Sequence, residues 1–111
     1  MSDSSRARAV VLLCTTPSIA VARRLAKQLV TRRVAACVSC VAGADSYFWW
    51  QGRLDRARET LMIVKTTAAA VRAAIRLIKT SHPYTVPELI ALPIVAGDAP
   101  YLAWLQEACR G

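Results

Sequence analysis

Four aromatic side chains in a row, Tyr47-Phe48-Trp49-Trp50, stand directly before Gln51-Gly52 and between two β-like runs, roughly residues 35–46 and 58–66. Successive side chains of a strand point to opposite faces, so Tyr47 and Trp49 go one way and Phe48 and Trp50 the other. A hairpin end with large rings on both faces has one side more than a single layer of core can cover. A chain of 111 residues has little material left for that second side. The arm is therefore expected to be buried by other copies of the same chain.

The flanking segments supply the rest of one domain. Ala9-Val10-Val11-Leu12-Leu13-Cys14 is a short, continuous apolar run of the kind found in a buried central strand. Thr16-Pro17-Ser18 follows, with a hydroxyl cap and a proline at or near the first helical position. From Ile19 to Val34 the apolar set Ile19, Ala22, Leu25, Ala26, Leu29 and Val30 has helical spacing, with Arg23, Arg24 and Lys27 opposite. Residues 35–48 read as a second strand, Gln51-Gly52 as the turn, and Ala57 to Thr66 as a third strand.

Thr66-Thr67 can cap a second helix running to about Thr80, and Pro83 forces His82 out of helical geometry. Residues 88–95 form a fourth strand whose Pro93 suggests an edge or a bulge. A short helix from about Pro100 to Arg110 closes the chain. The expected class is α+β, in the ferredoxin-like order β-α-β-β-α-β plus a C-terminal helix. Residues 1–8 are expected to form a disordered N-terminal tail ahead of a single domain over 9–111.

Hydrophobic residues make up 55% of the chain and mean hydropathy is +0.33, high for a monomer even allowing for 20 alanines. No apolar run approaches the ~18–20 residues that span a bilayer. Val10 to Leu13 is too short for a signal-peptide core, so cytoplasmic residence with reduced cysteines is expected. The net charge of +8 is carried by twelve arginines and three lysines. Arg23, Arg24, Lys27, Arg32 and Arg33 share one acid-free segment, and Arg72, Arg76 and Lys79 another. Such stripes either attract polyanions or are simply solvated helix faces, and the second reading is preferred.

Chemistry-bearing residues are few. Cys37 and Cys40 are three apart in a strand pattern, so they face opposite ways and do not share a metal. Cys14 ends the first strand, where a soft thiolate suits Cu(I) if a second ligand comes within reach. His82 is the only histidine. Four glycines cannot build a phosphate-binding loop or dinucleotide fingerprint, and no Gly-x-Ser-x-Gly elbow occurs. No enzymatic activity is expected. Glu59 and Lys65 lie on one face of the third strand, six residues apart. The aromatic run of RNA-recognition modules is absent, since the third strand reads Thr60-Leu61-Met62-Ile63-Val64-Lys65-Thr66, and nucleic acid is not an expected partner.

Several runs together resemble the CutA family of divalent-cation tolerance proteins. They are Leu13-Cys14-Thr15-Thr16-Pro17, Ala35-Ala36-Cys37-Val38, Ser46 to Leu54, Val64-Lys65-Thr66, His82-Pro83-Tyr84-Thr85-Val86-Pro87-Glu88-Leu89 and Tyr101-Leu102-Ala103-Trp104. The resemblance implies a ferredoxin-like, PII-like homotrimer in the cytoplasm, associated with copper and heavy-metal tolerance. It also implies copper ligation by Cys14 and by histidines before the Pro-Tyr pair, where this chain has Ser81 and His82. An intersubunit cleft lined by Cys37, Trp49, Glu59, Lys65, Tyr84 and Trp104 is implied as well. Two functions follow as expectations: a metal-binding tolerance protein, or a regulatory trimer whose cleft senses a small, anionic effector.

Overall fold

In a computed structural model of the chain, residues 8–110 are described. The expected tail falls on residues outside this range, apart from Arg8, whose carbonyl accepts the Ala68 N–H at 2.9 Å. The first strand, β1 (Ala9–Thr16), alternates from Val11 onward: Leu12, Cys14 and Thr16 are fully buried, while Val11, Leu13 and Thr15 are half-buried. Helix α1 (Ile19–Thr31) begins at Ser18, whose Oγ accepts the Val21 N–H at 3.2 Å. Pro17 thus lies just before the cap.

The helix ends three residues earlier than its apolar spacing suggests. Arg33 takes a left-handed backbone (φ 57°), its N–H reaching the Val30 carbonyl and the Val34 N–H the Leu29 carbonyl. This pair of bonds is a Schellman close, which satisfies two orphan carbonyls and turns the chain toward the next strand.

Strands β2 (Cys37–Trp50) and β3 (Arg53–Thr67) form one antiparallel hairpin, longer than the sequence pattern suggests. Its two-residue turn has positive φ at both Gln51 (52°) and Gly52 (77°), the condition for a turn whose twist matches the strands. Midway, Ala42 and Gly43 face the single residue Thr60, and the register shifts between Val41 and Ala44. Gly43, at φ 84°, supplies the left-handed backbone of this bulge. The extra residue inverts the alternation. Cys37, Ser39 and Val41 consequently share a face with Ala44, Ser46, Phe48 and Trp50, opposite Lys65, Ile63, Leu61, Glu59, Ala57, Asp55 and Arg53.

Helix α2 (Val71–Ser81) starts after Thr67, whose Oγ1 accepts the Ala70 N–H at 3.3 Å. The helix itself has no side-chain cap. Strand β4 (Ile90–Pro93) is short and pairs with β1, and helix α3 (Ala99–Ala108) is capped by Asp98. The sheet is antiparallel in the order β2-β3-β1-β4, so Pro93 sits on an edge strand, where a missing N–H does least harm.

Both long helices cover one face of this sheet. Leu25 and Leu29 of α1 meet Leu77 and Ile78 of α2 above Leu12, Cys14, Met62 and Val64. Helix α3 seals one end by seating Leu105 on Ala9 and Ala36. The other sheet face carries Val11, Leu13, Leu61 and Ile63, all half-buried, with Val41, Ile90 and Leu92 exposed. Among the described residues, helix α3 meets this face only at its Ala9 end, and the two long helices lie on the other side. Beyond Thr60, β3 has lost its β1 neighbour, so Ala44–Trp50 and Arg53–Glu59 project as a two-stranded arm. The arm accounts for a longest dimension of 45 Å against 25 and 23 Å.

A left-handed arginine costs roughly 1 kcal/mol relative to glycine. Arg33→Gly should therefore raise the unfolding free energy by up to about 1 kcal/mol, read from a urea melt; a lower midpoint would show that the exposed 3.4 Å bond from Arg33 to the Ala108 carbonyl matters more.

Candidate functional site

The end of β1 and the loop after α2 meet at one carbonyl, that of Thr15. Proline at position 83 stops α2, and His82 adopts extended backbone (φ −79°, ψ 138°). Its ring then folds back, so that Nδ1 accepts the Tyr84 N–H at 3.0 Å. A neutral imidazole that accepts at one nitrogen carries its proton on the other. Nε2 therefore donates to the Thr15 carbonyl at 2.8 Å. The Cys14 thiol donates to the same oxygen at 3.6 Å. Cys14 and His82, paired as ligands only by the family resemblance, thus each stand one hydrogen bond from Thr15 O.

The chain of contacts continues outward. The His82 and Tyr84 rings lie 4.8 Å apart, and the Tyr84 hydroxyl donates to Glu59 Oε2 at 2.8 Å. His82 and Glu59 are each only 8% exposed. Burial is the main cause that pushes the Cys14 thiol up to about 12, with the charges of Glu88 and Glu59 adding to it. Tyr84 is also pushed up to about 12, first by burial and then by its bond to Glu59 and that residue's charge.

Between the arm and the loop 83–88 lies an open groove of about 930 Å³. Phe48, Trp50 and Tyr84 wall it, and Asp55, Glu59 and Glu88 line it; no lysine or arginine does. The bulge at Gly43 is what turns Phe48 and Trp50, rather than Tyr47 and Trp49, toward the Glu59 face.

The residues expected in a shared cleft are dispersed within one protomer. Glu59 and Tyr84 touch, and Cys37 and Lys65 are register partners on the uncovered sheet face. Trp49 points from the opposite face of the arm, 76% exposed, and Trp104 lies on α3 against Tyr101, ring centroids 5.5 Å apart. Lys65 Nζ bonds Ser39 Oγ at 2.7 Å and does not line the groove. Sequence reasoning passed over Asp55, Glu88 and the Thr15 carbonyl; strand alternation from Glu59 would have found the first, four residues along β3 on the same face. Cys37 and Cys40 face apart, the former beside Lys65 and the latter packed on the core. Among the described residues, no three His, Cys, Asp or Glu side chains come close enough to hold a metal ion. No helix among them is long and apolar enough to cross a membrane.

This small α+β architecture, with its paired thiol and imidazole, has well-defined relatives. The family model described as CutA1 divalent ion tolerance protein matches residues 10–108. The divalent-cation tolerance protein CutA of Pectobacterium atrosepticum is 43% identical over 110 residues, covering 99% of this chain and all of the relative. Among solved structures, the divalent cation tolerance protein from Thermus thermophilus superposes with a TM-score of 0.88 at 48% identity, covering 90% of this chain and 97% of the other. A structure titled as the periplasmic divalent cation tolerance protein CutA from Archaeoglobus fulgidus gives 0.89 at 35% identity, covering 92% and 99%. The chain belongs to the CutA1 family.

The buried thiol has a consequence for stability. Cys14 keeps its proton to about pH 12 in the folded chain, whereas the ordinary value is 9.0. Between those limits the unfolded chain binds fewer protons than the folded one, so stability falls as pH rises. The slope approaches about 1.4 kcal/mol per pH unit for one group. Tyr84 acts in the same direction above its ordinary 10.0. Urea midpoints from about pH 8 to about pH 11 should fall more steeply for the native chain than for Cys14→Ala; parallel slopes would contradict the assignment.

Proposed function

We propose that the chain is the protomer of a cytoplasmic homotrimer that binds copper, or another divalent-cation-tolerance metal, and contributes to heavy-metal tolerance without turnover. The observation that carries the metal reading is the meeting of Cys14 Sγ and His82 Nε2 at the Thr15 carbonyl. One thiolate and one imidazole form a soft donor pair, which suits Cu(I) better than a hard ion. Both groups direct their protons at Thr15 O, and His82 Nδ1 is engaged by Tyr84 N–H. Metal capture therefore competes with these bonds and must displace the Cys14 proton. The relatives' printed names as divalent-cation tolerance proteins support the same reading.

The sheet supports the assembly. Its order, β2-β3-β1-β4, with two helices on one face, agrees with a ferredoxin-like subunit. The other face carries Leu13, Leu61, Ile63, Ile90 and Leu92 without a covering layer, continuous with an arm bearing exposed Phe48 and Trp50. Isolated two-stranded arms are marginal in water, and apolar areas of this kind mark association surfaces. Four free cysteines suit a reducing compartment. The regulatory reading rests on Lys65 and an anionic effector, and the carboxylate-lined groove does not favour it.

Titration of the reduced chain with Cu(I) should show one ion per protomer. Affinity should rise about tenfold per pH unit below the Cys14 value of about 12, because one proton leaves for each ion bound. Cys14→Ser with His82→Ala should abolish this binding; unchanged affinity would end the assignment. For the assembly, light scattering should give three chain masses for the native protein. Ile63→Asp, placed on the uncovered face, should reduce that mass; a native chain that scatters as one well-folded subunit would refute the trimer.

A further inference from the structure

The two basic stripes of the sequence become one surface in the fold. Helices α1 and α2 lie side by side on the sheet, where Leu25 and Leu29 meet Leu77 and Ile78, and Arg24 Nη2 donates to the Ser81 carbonyl at 2.9 Å. The layer carries Arg23, Arg24, Lys27, Arg72, Arg76 and Lys79, with Arg32 and Arg33 at the end of α1, and all eight residues are exposed. The described acids sit elsewhere: Asp45, Asp55 and Glu59 on the hairpin, Glu88 before β4, and Asp98 and Glu107 at α3. The helical layer thus holds eight of the chain's fifteen cations and none of its seven acids.

A helix face that meets only water is stabilised by acid–base pairs three or four residues apart, and like charges at those spacings destabilise it. Here Arg23 and Lys27, and Arg72 and Arg76, are four apart, while Arg24 and Lys27, and Arg76 and Lys79, are three apart. Neither helix has an acid in its first turn. The one ion pair among the described residues, Arg110 to Glu107, lies at the end of α3. The repulsion within the layer is left for an outside anion to relieve.

Geometry and composition name that anion. A helix rises about 1.5 Å per residue and packed axes stand about 8–10 Å apart, so the face measures roughly 15 Å by 10 Å. An open groove of about 660 Å³ follows α2, lined by Arg72, Ile75, Arg76, Lys79 and Thr80. A small anion leaves most of this surface unmatched. A lipid surface or a protein partner needs apolar anchors. Apart from Val30, the large exposed apolar residues lie on the hairpin, in the segment 86–95 and on α3. A single nucleic-acid strand needs aromatic platforms for its bases, and α1 and α2 contain no aromatic residue. Duplex DNA is held through its phosphates, which carry one charge per ~1.7 Å, on the order of nine along 15 Å.

We propose that the outer face of α1 and α2 is a docking surface for duplex DNA, held by its backbone without base readout. The sheet, which lacks the aromatic run of RNA-recognition modules, takes no part. The face lies on the side away from Leu13, Leu61 and Ile63, so assembly through that apolar surface leaves it open. Arginine and lysine donate to phosphate oxygens; with half of the duplex charge facing away, about four contacts form per protomer.

The test is fluorescence anisotropy of a labelled random-sequence duplex titrated with the reduced, metal-free chain. Between about 50 and about 200 mM salt, four contacts give a log–log slope of about −3.6, a loss of roughly 150-fold. Arg72→Gln with Arg76→Gln, and Arg23→Gln with Lys27→Gln, should each make the slope shallower by about 2 and weaken low-salt binding about tenfold or more. Each pair removes a like-charge repulsion from an exposed helix face, so the fold is kept. Arg8→Gln with Arg110→Gln removes the same charge outside the helical layer and should change affinity less than about threefold. An equal loss in that control would overturn the proposal, as would no saturable binding up to about 100 μM chain at about 50 mM salt. So would tighter binding of the single strand or of duplex RNA, or capture of the chain by phosphatidylglycerol vesicles without binding to the duplex.

Discussion

A four-stranded sheet whose two long helices both lie on one face is the constraint from which the rest of this structure follows. Leu25, Leu29, Leu77 and Ile78 bury Leu12, Cys14, Met62 and Val64, and that layer is complete. Strand alternation then places an equally apolar set, Leu13, Leu61 and Ile63, on the reverse side. At about 25 cal/mol per Å² of apolar area, leaving such a surface wet forgoes stabilisation that association can recover. The arm compounds the effect, because its rings have no partner strand or helix beside them.

One extra residue decides how the two halves of that surface relate. Without the bulge at Ala42-Gly43, strict alternation from Cys37 would bring Tyr47 and Trp49 to the face of Glu59. With it, Phe48 and Trp50 stand there instead, and a groove with carboxylates and rings results. Gly43 is suited to this position because its backbone is left-handed at φ 84°. The bulge is thus a local backbone choice with a consequence for chemistry several residues away.

Thr15 O serves as the hub on the other side of the same loop. It accepts from Cys14 and His82, and the polar chain runs on through Tyr84 to Glu59. Every donor in this series is satisfied, which explains how one imidazole and one carboxylate tolerate burial so near a thiol. The arrangement also holds the thiol and imidazole in one place through two hydrogen bonds to one carbonyl.

The order of elements, most of the buried face of each long helix (though Val30 is exposed and Leu77 is buried), the Gln51-Gly52 turn, an edge or bulge at Pro93 and the divergence of Cys37 from Cys40 were legible from residues alone. Each depends on interactions within a few positions, where periodicity and backbone preference act directly. The early end of α1 was not, because a non-glycine residue at Arg33 occupies the left-handed position where glycine would have signalled the stop. The meeting of His82 with Thr15, 67 residues apart, and of Tyr84 with Glu59, 25 apart, belongs to tertiary structure. So does the negative lining of a groove in a basic chain. Those relations depend on strand register and a single bulge, and register is set by which faces must be buried across the whole sheet.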